Sequence, residues 1–198
     1  MPDAIILEGP KSGGHLGFTK EQSEKEEYQL ENLFSPCRKE LDKWDKDIPL
    51  IVAGGIWDYK DIEFFKELGA DGVQIGSRFI VTEECDSEND YKELLINSKK
   101  EDIVLIDSPV GMPARIVKTN IWNIVENKNG PKVKCISDCV SPCNNGKKSK
   151  EVGYCIADSC RDSFLGNMET GIYFAGSESY RADKIITVKE LLNELTGN

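Results

Sequence analysis

Three short strings carry the residues best suited to chemistry: Gly13-Gly14-His15-Leu16-Gly17, Gly54-Gly55-Ile56 and Gly76-Ser77-Arg78-Phe79. A phosphoryl group is held by several converging backbone N–H donors, and glycine lets the main chain approach it with no Cβ in the way. The two later strings suit such a cradle; the alternative is that their glycines merely end strands. His15 is the one histidine in the chain. An imidazole with its ordinary pKa of about 6.5 can give or take a proton near neutrality, and flanking glycines would let backbone press against a planar ligand. Spacing alone leaves an exposed loop histidine equally open.

Five of the seven cysteines fall in Cys135-x₃-Cys139-x₃-Cys143 and Cys155-x₄-Cys160. This is not a zinc-ribbon spacing, and no histidine lies near to complete a mixed site. Packing thiols are expected and a metal ligand set is not, with a thiol-bound metal or iron–sulfur group as the alternative. No G-x-S-x-G turn, Walker loop or G-x-G-x-x-G string occurs, so hydrolase, P-loop and Rossmann readings lack support.

The elements that must position these residues read as strand, helix, strand, helix, strand. Ala4–Glu8 and Pro49–Ala53 read as buried parallel strands closed by glycine, and Asp71–Ile75 as a third strand closed by Gly76-Ser77. Between them lie a helical pattern from Leu30 to Trp44, with Pro36 as a start or kink, and a helix capped by Asp58 and stopped by Gly69. All three chemical strings therefore sit just past a strand's carboxyl end, the edge at which parallel α/β folds keep their sites. After Phe79 the grammar changes. Asp90–Lys100 reads as a helix, Asp102–Ile106 as a short extended segment, Ser108–Arg115 as a loop with two prolines, and Val188–Leu195 as a final helix.

The bulk numbers bound the possibilities. At 198 residues, 39% hydrophobic and 30% charged, the chain can bury the core of one soluble domain. The apolar runs are strand-sized, far short of a membrane span. Met1-Pro2-Asp3 begins no secretory signal, which points to the cytoplasm and to reduced thiols. A net charge of −10 argues against nucleic acid as a partner, while leaving a phosphate-bearing cofactor open.

The strings EGPKSGGHLG (Glu8–Gly17), IPLIVAGGIWD (Ile48–Asp58), LGADGVQIGSRF (Leu68–Phe79) and TEECD (Thr82–Asp86) resemble the last three strand–loop units of the nitronate monooxygenase family, formerly called 2-nitropropane dioxygenases. SPVGMPAR, YCIAD and SYRADKIITVKELL resemble the tail of its clostridial-type members. The resemblance implies an α/β fold, the carboxyl-terminal portion of a (β/α)₈ TIM barrel with a cysteine-rich lid. Residues 1–110 would hold the barrel units and residues 111–198 the lid and terminal helix of the same domain. It implies FMN as cofactor, with Gly54, Gly55, Gly76 and Ser77 at the phosphate, Ala53 as a further cofactor-binding residue, Gly13 and Gly14 close to the flavin, Gln74 facing the site and His15 as catalytic residue. The implied reaction is oxidation of an alkyl nitronate by O₂ to a carbonyl compound and nitrite. A flavin-dependent enoyl-ACP reductase, which shares these motifs, is the alternative. A complete barrel takes about 250 residues, so the first half is expected to be missing here. Open strand edges would then favour a second copy or the absent half as partner, and an inactive assembly module is the reading from another class.

Overall fold

Short apolar runs bounded by glycine, proline or charge suit a parallel sheet, and three strands pair in that way. Only the central Leu50–Ala53 is largely buried; the flanking strands leave Ile6, Glu8 and Gln74 exposed, which corrects the burial expected of Ala4–Glu8. The structure, a computed structural model, describes residues 2–44, 47–130 and 132–198. Met1, at the head of the amino-terminal segment read above, lies outside these.

Strand β1 (Ile5–Glu8) is followed by a two-residue strand β2 (Gly14–His15), then β3 (Leu50–Ala53), β4 (Gly72–Gln74), β5 (Ile103–Ile106) and β6 (Ala114–Val117). One sheet has the order β1-β3-β4 and is parallel throughout. Its register sets Glu8 opposite Ala53 and Ala53 opposite Gln74, so the three strands end level with one another.

The helices between them are α1 (Lys20–Glu24), α2 (Leu30–Leu41) and α3 (Tyr59–Glu67). Helix α2 stops at Leu41, short of the expected Trp44, and carries Pro36 within it on an exposed face, where water can satisfy the freed carbonyl. Helix α3 begins as the sequence predicts. The Asp58 carboxylate accepts from the amides of Lys60 and Asp61, and Asp61 reaches back to the Asp58 amide. Leu30, Phe34, Val52 and Phe65 meet in the core between these helices and the sheet.

The second sheet corrects the sequence reading. Ala114 and Arg115, expected in a loop, belong to β6, which pairs antiparallel with both β5 and β2. All four residues of β6 are buried, so the strand lacks the alternation that marks a half-exposed one. Pro109 and Pro113 lie in the turn before it. Helices α4 (Ser77–Ile80), α5 (Asn89–Asn97), α6 (Asn120–Asn127), α7 (Lys147–Val152), α8 (Ile156–Phe164) and α9 (Val188–Thr196) complete the fold. The cysteine-rich stretch thus contains α7 and the start of α8, which the sequence did not reveal. Helix α8 buries Ser159 as its one fully covered residue, while Cys160 and Phe164 stay exposed. The seven cysteines are free thiols. Among the described residues no helix is long and apolar enough to cross a membrane.

Asp58 both caps α3 and pairs with Arg181 at 2.6 Å. Asp58→Ala is expected to cost about 1–2 kcal/mol of stability in urea unfolding. A loss under about 0.5 kcal/mol would show that the cap does little.

Candidate ligand-binding site

Because the three parallel strands end level, the loops leaving them converge. A cavity of about 360 Å³ opens there, lined by Gly13, Ala53, Gly54, Gly55, Gln74, Gly76 and Ser77 among others. Seven of the eight cofactor-binding residues expected from sequence therefore share one wall. Gly14 and His15 do not line it.

The glycines are there for different reasons. Gly54 has φ +95°, and a Cβ on it would stand 2.8 Å from the Gly9 carbonyl oxygen, so the protein itself requires glycine. Gly76 has φ −115°, and a Cβ there would meet no protein atom within 4 Å. Neither packing nor backbone conformation demands glycine at that position. The space it preserves belongs to the cavity.

The carboxyl-terminal segment closes the far side. The Ser77 hydroxyl accepts the Gly176 amide at 2.9 Å, and the Ser177 amide donates to the Lys11 carbonyl at 2.9 Å. Gly13 packs against this segment so tightly that a Cβ would fall 2.7 Å from the Gly176 nitrogen. Arg115, on β6, fastens the loop after β1 from beneath: its buried guanidinium donates to the carbonyls of Ser12, at 3.1 Å from Nε, and of Pro10. Burial lowers the Arg115 pKa from its usual value, and the Glu178 carboxylate opposes that shift. Arg78, part of the third glycine string, turns away from the cavity. It donates to the Trp57 carbonyl at 2.9 Å and pairs with Glu194 on α9.

His15 is half-buried behind the cavity. Its Nε2 lies 2.8 Å from the Ser108 hydroxyl, and its ring packs at 5.4 Å from Phe174, which does line the cavity. Desolvation holds its pKa below the ordinary value, favouring the neutral ring. Ser108, Phe174, Arg115 and Gly176 escaped the sequence reading as site residues. Arg115 and Ser108 stand in a string whose local signals are its two prolines and its family resemblance, and the segment with Phe174 has no periodicity or motif chemistry of its own. Among the described residues no cluster of three or more His, Cys, Asp or Glu could hold a metal ion.

The family model for nitronate monooxygenase matches residues 1–198. The chain belongs to the nitronate monooxygenase family. Proteins carrying the name "Probable nitronate monooxygenase" are 33% identical over 114 residues in Staphylococcus saprophyticus and 30% identical over 129 residues in Staphylococcus haemolyticus. These alignments cover 57% and 65% of this chain, but 31% and 35% of those proteins. FabK from Thermotoga maritima superposes with a TM-score of 0.73 at 26% identity over 98% of this chain and 53% of that one. Nitroalkane oxidase from Streptomyces ansochromogenes superposes with a TM-score of 0.69 at 21% identity, covering 98% of this chain and 51% of its own, and shares the fold. This family member thus spans about a third of the length of its curated relatives and about half that of the solved structures.

As the single histidine, His15 gives one unambiguous imidazole signal by NMR. Its titration midpoint is expected below the ordinary 6.5, because the folded state resists protonation. Stability from this group is complete above that value and declines as pH falls beneath it. A midpoint at or above 6.5 would contradict the buried environment.

Proposed function

We propose that the chain is the carboxyl-terminal portion of an FMN-dependent (β/α)₈-barrel oxidoreductase, with the FMN phosphate held at the level strand exits. In this reading residues 1–110 are barrel units, and residues 111–198 are the lid and terminal helix of the same domain. The observation that carries it is the shared register of Glu8, Ala53 and Gln74, which opens both glycine turns onto one cavity.

The donor set suits the group. Main-chain amides at Gly54, Gly55, Gly76 and Ser77 can converge on a phosphate without a charged side chain. That agrees with a lining that contains Glu8 and Glu178 and, among the described residues, no lysine or arginine. The two carboxylates suit hydroxyls of a ribityl chain as donors to them. Gly13 and Gly14 would let the backbone approach the flavin, with Ala53 and Gln74 flanking at the strand ends.

When bound, FMN supplies the redox chemistry, here assigned as oxidation of an alkyl nitronate by O₂ to a carbonyl compound and nitrite. For a substrate that arrives as the neutral nitroalkane, His15 takes the proton from the carbon beside the nitro group, which gives the nitronate. Burial keeps the imidazole neutral and able to accept it, and with Nε2 held by Ser108 we assign Nδ1 to the transfer.

His15→Ala is expected to abolish nitrite release while FMN remains bound; undiminished turnover would remove His15 from the mechanism. Gly76→Val is expected to weaken FMN binding by about tenfold or more, a loss of about 1.4 kcal/mol, with the unfolding midpoint held. Flavin affinity equal to wild type would refute the phosphate placement. NAD(P)H oxidation dependent on an enoyl thioester, without nitrite, would move the chain to the enoyl-ACP reductase reading. A colourless oligomer that takes up no FMN would leave the assembly module.

A further inference from the structure

A buried hydroxyl with no partner is costly unless a ligand satisfies it. Among the described residues the buried side-chain oxygens of Thr119, Tyr173 and Ser179 have no hydrogen-bond partner. Of these residues Ser179 alone lines the cavity at the strand exits, and it is only 1% exposed.

We infer that Ser179 is a further binding residue of this site, its hydroxyl donating to a phosphoryl oxygen of the group held by the glycine turns. The inference rests on the FMN-phosphate reading. Its geometry comes from a short relay of hydrogen bonds. The Ser179 amide donates to the Gly176 carbonyl at 3.1 Å, and the Gly176 amide donates to the Ser77 hydroxyl at 2.9 Å. Ser179 is thereby tied to the Gly76-Ser77 turn, where the phosphate is proposed to lie. Two residues on, Arg181 pairs with Asp58 at 2.6 Å and fixes the other end of the segment. The backbone carrying the hydroxyl is thus fastened on both sides.

The chemistry fits a donor. A phosphate presents acceptors, and a serine O–H can donate to one without a formal charge. Glu178, the neighbouring carboxylate on the lining, cannot do so when ionised. Its charge is engaged by Arg181 at 3.8 Å, and the serine adds a side-chain donor to the carboxyl-terminal wall.

The test is Ser179→Ala, titrated with FMN, with riboflavin and with inorganic phosphate, alongside thermal unfolding without ligand. The FMN dissociation constant is expected to rise about tenfold, with riboflavin binding unchanged and stabilisation by inorganic phosphate lost. The unfolding midpoint without ligand should hold or rise, since a stranded hydroxyl has been removed. Equal weakening toward FMN and riboflavin, or no weakening of either, overturns the role of Ser179. So does a lowered midpoint without ligand, which marks a structural hydroxyl. A wild-type chain that binds FMN no better than riboflavin, and gains nothing from inorganic phosphate, overturns the phosphate reading of the cavity and Ser179 with it.

Discussion

The pairing of β3 with β1 on one side and β4 on the other is the constraint on which the rest depends. Parallel strands share a direction, so their exit loops leave from one edge. Their register decides whether those loops meet. Here Ala53 stands level with both Glu8 and Gln74, which brings Gly54-Gly55 and Gly76-Ser77 to adjacent positions above the sheet. A one-residue slip of either neighbour would turn its side chains to the opposite face and separate the turns. Val52, buried on the core side of β3, opposes that slip by fixing which face points inward.

A second device joins this sheet to the antiparallel one. The loop after β1 runs directly into β2, and Arg115 on β6 grips that loop through two of its carbonyls. Taking a guanidinium out of water is costly, and the hydrogen bonds and the nearby Glu178 offset part of the cost. The result is positional. His15 sits on β2, one pairing step from Arg115's own strand, while Ser12 and Gly13 of the same loop line the cavity. Phe174 is the wall that the cavity and the imidazole have in common. One loop therefore carries both part of the cavity lining and His15.

Legibility in the sequence followed from how each residue earns its position. The first two parallel strands are short apolar runs ended by glycine, and α3 carries its own cap at Asp58, so both could be read from neighbours in the chain. The glycine turns were visible for the same reason. Strand β6 is buried throughout and hides its period, and α7 and α8 have polar sequences with few covered residues. The Ser108 contact to His15 spans 93 positions, and the Ser77 contact to Gly176 spans 99. Such partners are chosen by tertiary packing, and no local pattern announces them. Arg78 shows the reverse error a motif invites, since its charge beside a glycine turn serves Trp57 and Glu194 and not the cavity.

The most direct test of the central claim is a crystal structure of this chain with FMN. The account predicts phosphate oxygens within about 3.2 Å of main-chain nitrogens from both the Gly54-Gly55 and Gly76-Ser77 turns. A phosphate bound by surface lysines away from the strand exits, or touching only one of the two turns, would contradict it.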